Sequence, residues 1–440
     1  MPKLLLHFGL LGTTMIAGAQ PSKSVDIIKE ITFLYTDTIQ GKPYIGSYEP
    51  TGMIRTTDSC YLISTIFSID FPEELDTTYL STDFKRYLAN KEPFRGRGHV
   101  SSCSVIKLKR DLTKEWEIIF KDKRVTHIVP CDNTSFIIAG ERIDMEKNWV
   151  ASVSIDGNIL WQNEYKQGPR LVTEGLSYFN DNIYVLGGAQ RTVFIKIEKN
   201  YGRRKIRLFK QSNYENSPVL FCISKTGKLE WKRKIDPQKH YNKYCFNFIS
   251  VPGGHLLLSS YNGFIKKNKK KIRGEGMFLY VLNKKGKVLT RQNTESGCIS
   301  YQDGNILLLQ NKYNSKSVQV YKLENSQFIQ TDSFLLDPEH RNLYMGSVSK
   351  LGNELYWGCT YMGKAYLSRN QDFLFCRLNN DFEVTGFRIY GDEEYNEFVS
   401  LSESYDNNLL AIGWSYKTNK YTGTLYRCIN LVEFRKFSES

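Results

Sequence analysis

Seven two-residue turn signals divide this 440-residue chain: Asp58-Ser59, Asp132-Asn133, Asp181-Asn182, Gly253-Gly254, Asp303-Gly304, Gly352-Asn353 and Asp406-Asn407. Where nothing is inserted, successive signals begin 49 to 54 residues apart. A fixed period of that length marks a repeat architecture, in which each unit buries its apolar face on the next and a single domain outgrows an ordinary globular core. Aromatic residues make up 13% of the chain, and the apolar runs are short and rich in Val and Ile, so the units read as strands rather than helices.

The second unit shows the internal grammar. Thr126 to Cys131 reads as an inner strand, Asp132-Asn133 as a turn, and Phe136 to Gly140, Val150 to Ile155 and Ile159 to Tyr165 as three further strands. Asp156-Gly157-Asn158 supplies the residues that tolerate positive φ at the hairpin between the last two. The same order returns with Thr226-Gly227 and Lys285-Gly286, and more loosely at Asn325-Ser326 and Asp381-Phe382. Four antiparallel strands repeated seven times predict an all-β, seven-bladed β-propeller. The seventh unit begins at Val399 and its third strand is Leu425 to Asn430, after which little chain is left. Ile31 to Thr36 is therefore expected to supply the missing fourth strand, closing the ring and covering an edge that would otherwise invite aggregation.

The first nineteen residues read separately as a signal peptide. Lys3 provides a positive charge, Leu4 to Ile16 a short apolar run, and Ala17-Gly18-Ala19 a small-residue cleavage site, so the mature chain is expected to begin at Gln20. The run is too short for a membrane span, which needs about 20 apolar residues. Gln20 follows the small residues where a lipoprotein would have Cys, so the expectation is a soluble periplasmic or secreted protein with one propeller domain over residues 20–440. Nine cysteines all fall in that domain, with no CxxC or Cys/His cluster of zinc spacing. Cys103, Cys222, Cys376 and Cys428 recur on the same strand of different units, too far apart around a ring to bridge, and are expected to be buried thiols.

Two units carry a fuller motif. Phe221-Cys-Ile-Ser-Lys-Thr-Gly-Lys-Leu-Glu-Trp231 and Val153-Ser-Ile-Asp-Gly-Asn-Ile-Leu-Trp161 resemble the repeat of the quinoprotein-alcohol-dehydrogenase-like (PQQ-like) β-propellers, where a Thr-Gly or Asp-Gly turn precedes a docking Trp. Leu289 or Thr290 stands in the Trp place of the fourth unit. The resemblance implies a seven- or eight-bladed ring. In the family's enzymes it also implies a quinone cofactor, a calcium ion, a catalytic Asp and a vicinal disulfide, but this chain has no adjacent Cys pair. The expectation is a noncatalytic envelope member without cofactor or metal.

Three insertions interrupt the connection between second and third strands, at residues 71–99, 189–216 and 262–275, and should therefore emerge on one face of the disc. The first could hold a short helix around Thr82 to Ala89; the second alternates like an extended hairpin around Tyr201-Gly202-Arg203-Arg204. Residues 189–216 hold eight basic and two acidic side chains, and residues 262–275 six basic and one acidic, so these two loops contribute +11 of the formal net charge of +14. Arg203, Arg204, Lys205 and Arg207 in one, and Lys266, Lys267, Lys269, Lys270, Lys271 and Arg273 in the other, are the candidate binding residues. A cluster of that kind concentrates anionic partners: acidic proteins, acidic glycans or the headgroups of a membrane touched peripherally. Nucleic acid is disfavoured by the export signal.

No linear catalytic motif accompanies them. The six histidines lack HxxxH or HExxH spacing, and neither a Gly-x-Ser-x-Gly elbow nor a phosphate-binding Gly loop occurs. Ser154 to Trp161 approaches the Asp-box of sialidase-like propellers, but a plain hairpin turn explains it. Two classes of function remain compatible with the sequence: a binding or scaffold propeller presenting its basic face to a macromolecule, and a propeller enzyme (hydrolase, lyase or oxidoreductase) whose acidic and His groups converge in the central channel; His127 and Glu174 fall on inner strands that line it but read first as structural residues.

Overall fold

The computed structural model describes residues 27–436 apart from short stretches, the longest being 72–97, 337–346 and 363–370. The signal-peptide segment, the helix expected around Thr82 to Ala89, Arg203 and Lys269 lie outside the described residues.

Seven antiparallel sheets form the blades. Strand β1 (Ile27–Phe33) belongs to the last of them, and β2 (Tyr35–Ile39) folds back on the start of β3 (Lys42–Arg55). With β4 (Tyr61–Phe71), β5 (Gly98–Leu108) and β6 (Lys114–Phe120), β3 makes blade 1. Blade 2 is β7 (Lys123–Pro130), β8 (Ser135–Arg142), β9 (Lys147–Ser154) and β10 (Ile159–Lys166). Blade 3 is β11 (Leu171–Phe179), β12 (Asn182–Tyr201), β13 (Arg204–Ser224) and β14 (Leu229–Lys234). Blade 4 is β15 (His240–Val251), β16 (His255–Lys267), β17 (Lys270–Asn283) and β18 (Val288–Thr294). Blade 5 is β19 (Cys298–Gln302), β20 (Asn305–Lys312), β21 (Ser315–Glu324) and β22 (Gln327–Leu336); blade 6 is β23 (Ser347–Leu351), β24 (Glu354–Met362), β25 (Gln371–Leu378) and β26 (Val384–Tyr390). Blade 7 joins β27 (Asn396–Glu403), β28 (Leu409–Thr418) and β29 (Leu425–Phe434) to β1. The inner strands touch in cyclic order, β3 to β7, β11, β15, β19, β23, β27 and back to β3, which closes the ring.

The blade sequence explains its own layering. A second strand is sandwiched between neighbouring blades, so β8 (SFIIAGER) is buried at every residue but its last, whereas the outer strand β10 (ILWQNEYK) is largely exposed. The core lies between blades: Leu186, Leu220 and Tyr184 of blade 3 pack with Leu256, Leu258 and Tyr280 of blade 4, and Tyr61 and Ile63 of blade 1 with Leu410, Ile412 and Leu431 of blade 7. The seven cysteines with described side chains, including Cys103, Cys222, Cys376 and Cys428 on third strands, are buried thiols.

The N-terminal strand closes the ring with different boundaries from those expected. β1 starts at Ile27 and ends at Phe33, pairing Ile31 with Leu431 and Phe33 with Ile429. Tyr35 and Thr36 instead pair with Gly46 and Ile45 in β2–β3. The reason is that the next residues of β29 are already engaged by blade 1: the Arg427 amide donates to Ser47 Oγ (3.2 Å), and its guanidinium pairs with Glu49. Across the seam, the rings of Tyr405 and Tyr61 lie 5.1 Å apart, and the Tyr405 hydroxyl donates to the Cys60 carbonyl (3.1 Å).

Candidate binding face

The up-and-down path of each blade separates its connections. Turns joining first to second and third to fourth strands lie at one end; connections joining second to third strands, and one blade to the next, lie at the other. The two ends of the disc differ in chemistry.

The first end is locked. In blades 1, 2, 3, 4 and 6 the pairing of third with fourth strand shifts register just after the turn, leaving one residue bulged; in blade 5 the shift comes further along, between Val320 and Tyr321, and in blade 7, where no turn joins β29 to β1, between Ile27 and Lys29. In the first three blades the residue that follows the bulge is Trp116, Trp161 or Trp231, and each lies on a turn of the next blade. A Cβ built on Gly157 would come 3.4 Å from Trp116, one on Gly227 2.8 Å from Trp161, and one on Gly286 2.9 Å from Trp231. Gly227 also needs its φ of +84°, and Trp161 Nε1 donates to the Lys225 carbonyl beside it (2.9 Å). At the seam, Lys29 takes the Trp place and donates to the Asp111 carbonyl on the turn of blade 1. Sequence reading finds Trp161 and Trp231 but misses Trp116, because its turn uses Leu112 at φ 66° where the others have Gly. The usable signal is the spacing: each Trp falls four residues after the positive-φ position. Asp132, of the second turn signal, receives the Lys225 ammonium (2.6 Å) together with Thr134 and Ser135; the lysine first, and these donors after it, hold its carboxyl well below the usual range. The Asp-box-like stretch is a hairpin closed by Ser154 N to Asn158 O (2.9 Å).

The second end carries the long hairpins. β11 accompanies β12 only to Ala189 and β14 accompanies β13 only from Val219, but β12 and β13 continue as a pair to Tyr201 and Arg204. Twelve residues of β12 beyond Ala189 extend roughly 40 Å at about 3.3 Å per residue. The register sets Arg204 opposite Tyr201, Lys205 opposite Asn200 and Arg207 opposite Glu198. In blade 4, β16 and β17 set Lys266 opposite Lys271, Lys267 opposite Lys270 and Arg273 opposite Phe264. Like charges directly opposed weaken a ladder. These pairs therefore do not favour the hairpin. Blades 3 and 4 are neighbours, with β13 running beside β15. Arg191, Lys196, Lys199 and Lys210 add to the same ribbon and were not singled out by sequence, because only the densest runs stand out there.

Two further places hold polar groups. His127 lies half-buried on inner strand β7, with Nδ1 2.9 Å from Thr126 Oγ1, and desolvation pushes its pKa down to about 4. On the neighbouring inner strand the Thr173 amide donates to buried Glu141 (3.0 Å), whose pKa burial raises. A groove of about 480 Å³ between the outer strands of blades 1 and 2 is lined by Ile119, Trp149, Gln162 and Glu164. Partial burial pushes the Glu164 pKa up, but hydrogen bonds from Lys123 and Lys147 (2.8 Å for Lys147) and the charge of Arg142 outweigh it and bring it to about 2. Glu164 thereby ties the outer strand to the rest of blade 2. Among the described residues no three His, Cys, Asp or Glu side chains are grouped to hold a metal ion.

No protein-family model matches this chain, and no curated protein matches its sequence. Among solved structures it is similar to the Dos1 propeller, at 9% identity and a TM-score of 0.43 over 94% of this chain and 97% of that one. It is also similar to the hemagglutinin-neuraminidase ectodomain of parainfluenza virus 5, at 8% identity and a TM-score of 0.40 over 76% and 79%. The β-propeller assignment rests on the sheet order and ring closure of the chain itself.

Proposed function

We propose that this chain is an extracytoplasmic binding or scaffold propeller that engages a polyanionic macromolecule through the end bearing the β12–β13 and β16–β17 hairpins. The observation that carries this reading is the ladder at the tip of blade 4, where Lys266 and Lys267 stand opposite Lys271 and Lys270, beside a blade whose hairpin begins with Arg204, Lys205 and Arg207. Exposed charges act over about 8 Å at physiological ionic strength, so retention of the protein on immobilised heparin should fall steeply with salt. Replacing Lys266, Lys267, Lys269, Lys270 and Lys271 with Gln should abolish retention while changing stability by less than about 0.5 kcal/mol, the usual size for surface substitutions. Unchanged retention in that variant would reduce the cluster to a solubilising loop.

The extracytoplasmic part of the proposal is supported by Lys3, the apolar run from Leu4 and Ala17-Gly18-Ala19. Sequencing the exported protein should read from Gln20; a start at Met1 would contradict it. Membership of the PQQ-like propellers is part of the same reading. It is supported by the stacking of Trp116, Trp161 and Trp231 on Gly157, Gly227 and Gly286 in successive blades.

A further inference from the structure

We propose that the polyanion is the surface of an anionic lipid bilayer and that the β12–β13 ribbon enters its headgroup region. This rests on the binding face described above and names its partner. Beyond Ala189 the ladder sorts the ribbon residues into two faces, because successive positions alternate. The pairs Val193–Ser212, Ile195–Lys210, Ile197–Leu208, Lys199–Ile206 and Tyr201–Arg204 share one face; Phe194–Gln211, Lys196–Phe209, Glu198–Arg207 and Asn200–Lys205 share the other. All five aliphatic residues of this stretch, Val193, Ile195, Ile197, Ile206 and Leu208, fall on the first face, with Lys199 and Lys210 among them and Arg204 at its end. In blade 4, Ile265 opposite Ile272 repeats the arrangement next to the four paired lysines.

Chemistry chooses between polyanions here. A sulfated glycan or an acidic peptide matches the cations but has no use for an aliphatic stripe. An anionic bilayer matches both, with phosphates for Lys and Arg and the upper acyl region for Val, Ile and Leu. Tyr201, at the end of the same face, is a residue type favoured at that boundary.

The test uses the mature chain with phosphatidylcholine vesicles, with and without phosphatidylglycerol, and with heparin. Wild type should sediment with the anionic vesicles and not with the neutral ones. A variant carrying Ile195→Ser, Ile197→Ser and Leu208→Ser should lose at least about tenfold in vesicle partitioning, since each buried aliphatic side chain is worth roughly a factor of ten or more. Its elution from heparin should not change. A Tyr201→Trp variant, which keeps the stripe, should gain a fluorescence component that brominated lipid quenches. Equal vesicle binding by the aliphatic variant, or absence of quenching, would overturn the insertion. Heparin binding without vesicle binding would overturn the lipid assignment and leave the basic face standing, whereas binding to neither would remove both.

Discussion

At the residue scale, a tryptophan and a glycine of different blades make one joint. Trp161 lies over Gly227, and Asn163 and the Tyr165 hydroxyl both donate to the Gly227 carbonyl (2.9 and 2.7 Å). Trp161→Ala should cost about 2–3 kcal/mol, below the range for a fully buried aromatic because this ring is half-buried. Gly227→Ala should cost about 1–2 kcal/mol from its φ alone, with the Trp161 clash added. Chemical denaturation of both variants checks these values, and a neutral Gly227→Ala would contradict the stacking. His127 makes a second prediction. Its folded pKa of about 4 lies below the ordinary 6.5, so the unfolded chain binds the extra proton between those values. Stability should fall as pH drops through that window, by an amount on the order of 3 kcal/mol once complete. His127→Asn should flatten the fall between about pH 6.5 and 4; an unchanged slope would assign the acid sensitivity elsewhere.

At the scale of elements, the clasp strand is the most exposed to test. β1 pairs with β29 from Ile429 to Phe434 and brings Ile31 onto the core shared by blades 7 and 1. Deleting residues 20–33 should lower the melting temperature markedly by leaving the long edge of β29 unpaired, and a truncated chain that melts like the intact one would contradict closure by this strand. Much of this was legible in sequence. Asn407 and the glycines at 157, 227 and 286 announce hairpins, because few other residues accept the positive φ those turns need, and Asp132 announces its turn by accepting from the Thr134 amide two residues on. Boundaries were less legible: whether Tyr35 extends β1 or starts β2 depends on which distant strand already has a partner, which local pattern does not encode. The candidate residues were legible as charge, since Lys266 to Lys271 form a dense run. Their pairing was not, because setting Lys266 opposite Lys271 depends on where the hairpin turns.

At the scale of the whole molecule, the ring cross-ties its blades at one end and extends long hairpins from the other. The end with the short turns is cross-tied from blade to blade by Trp161 to Lys225, Tyr405 to Cys60 and Lys225 to Asp132. The other end grows hairpins that the blade cores do not need, and there the net charge of the chain collects. Binding should therefore be one-sided. Hydrogen exchange on the mature chain, with and without saturating polyanion, measures this directly. Protection should appear in residues 190–216 and 262–276 and be absent at the turns around residues 56–60, 132–135 and 225–228. Protection centred on those turns, or spread evenly over both ends, would contradict the account.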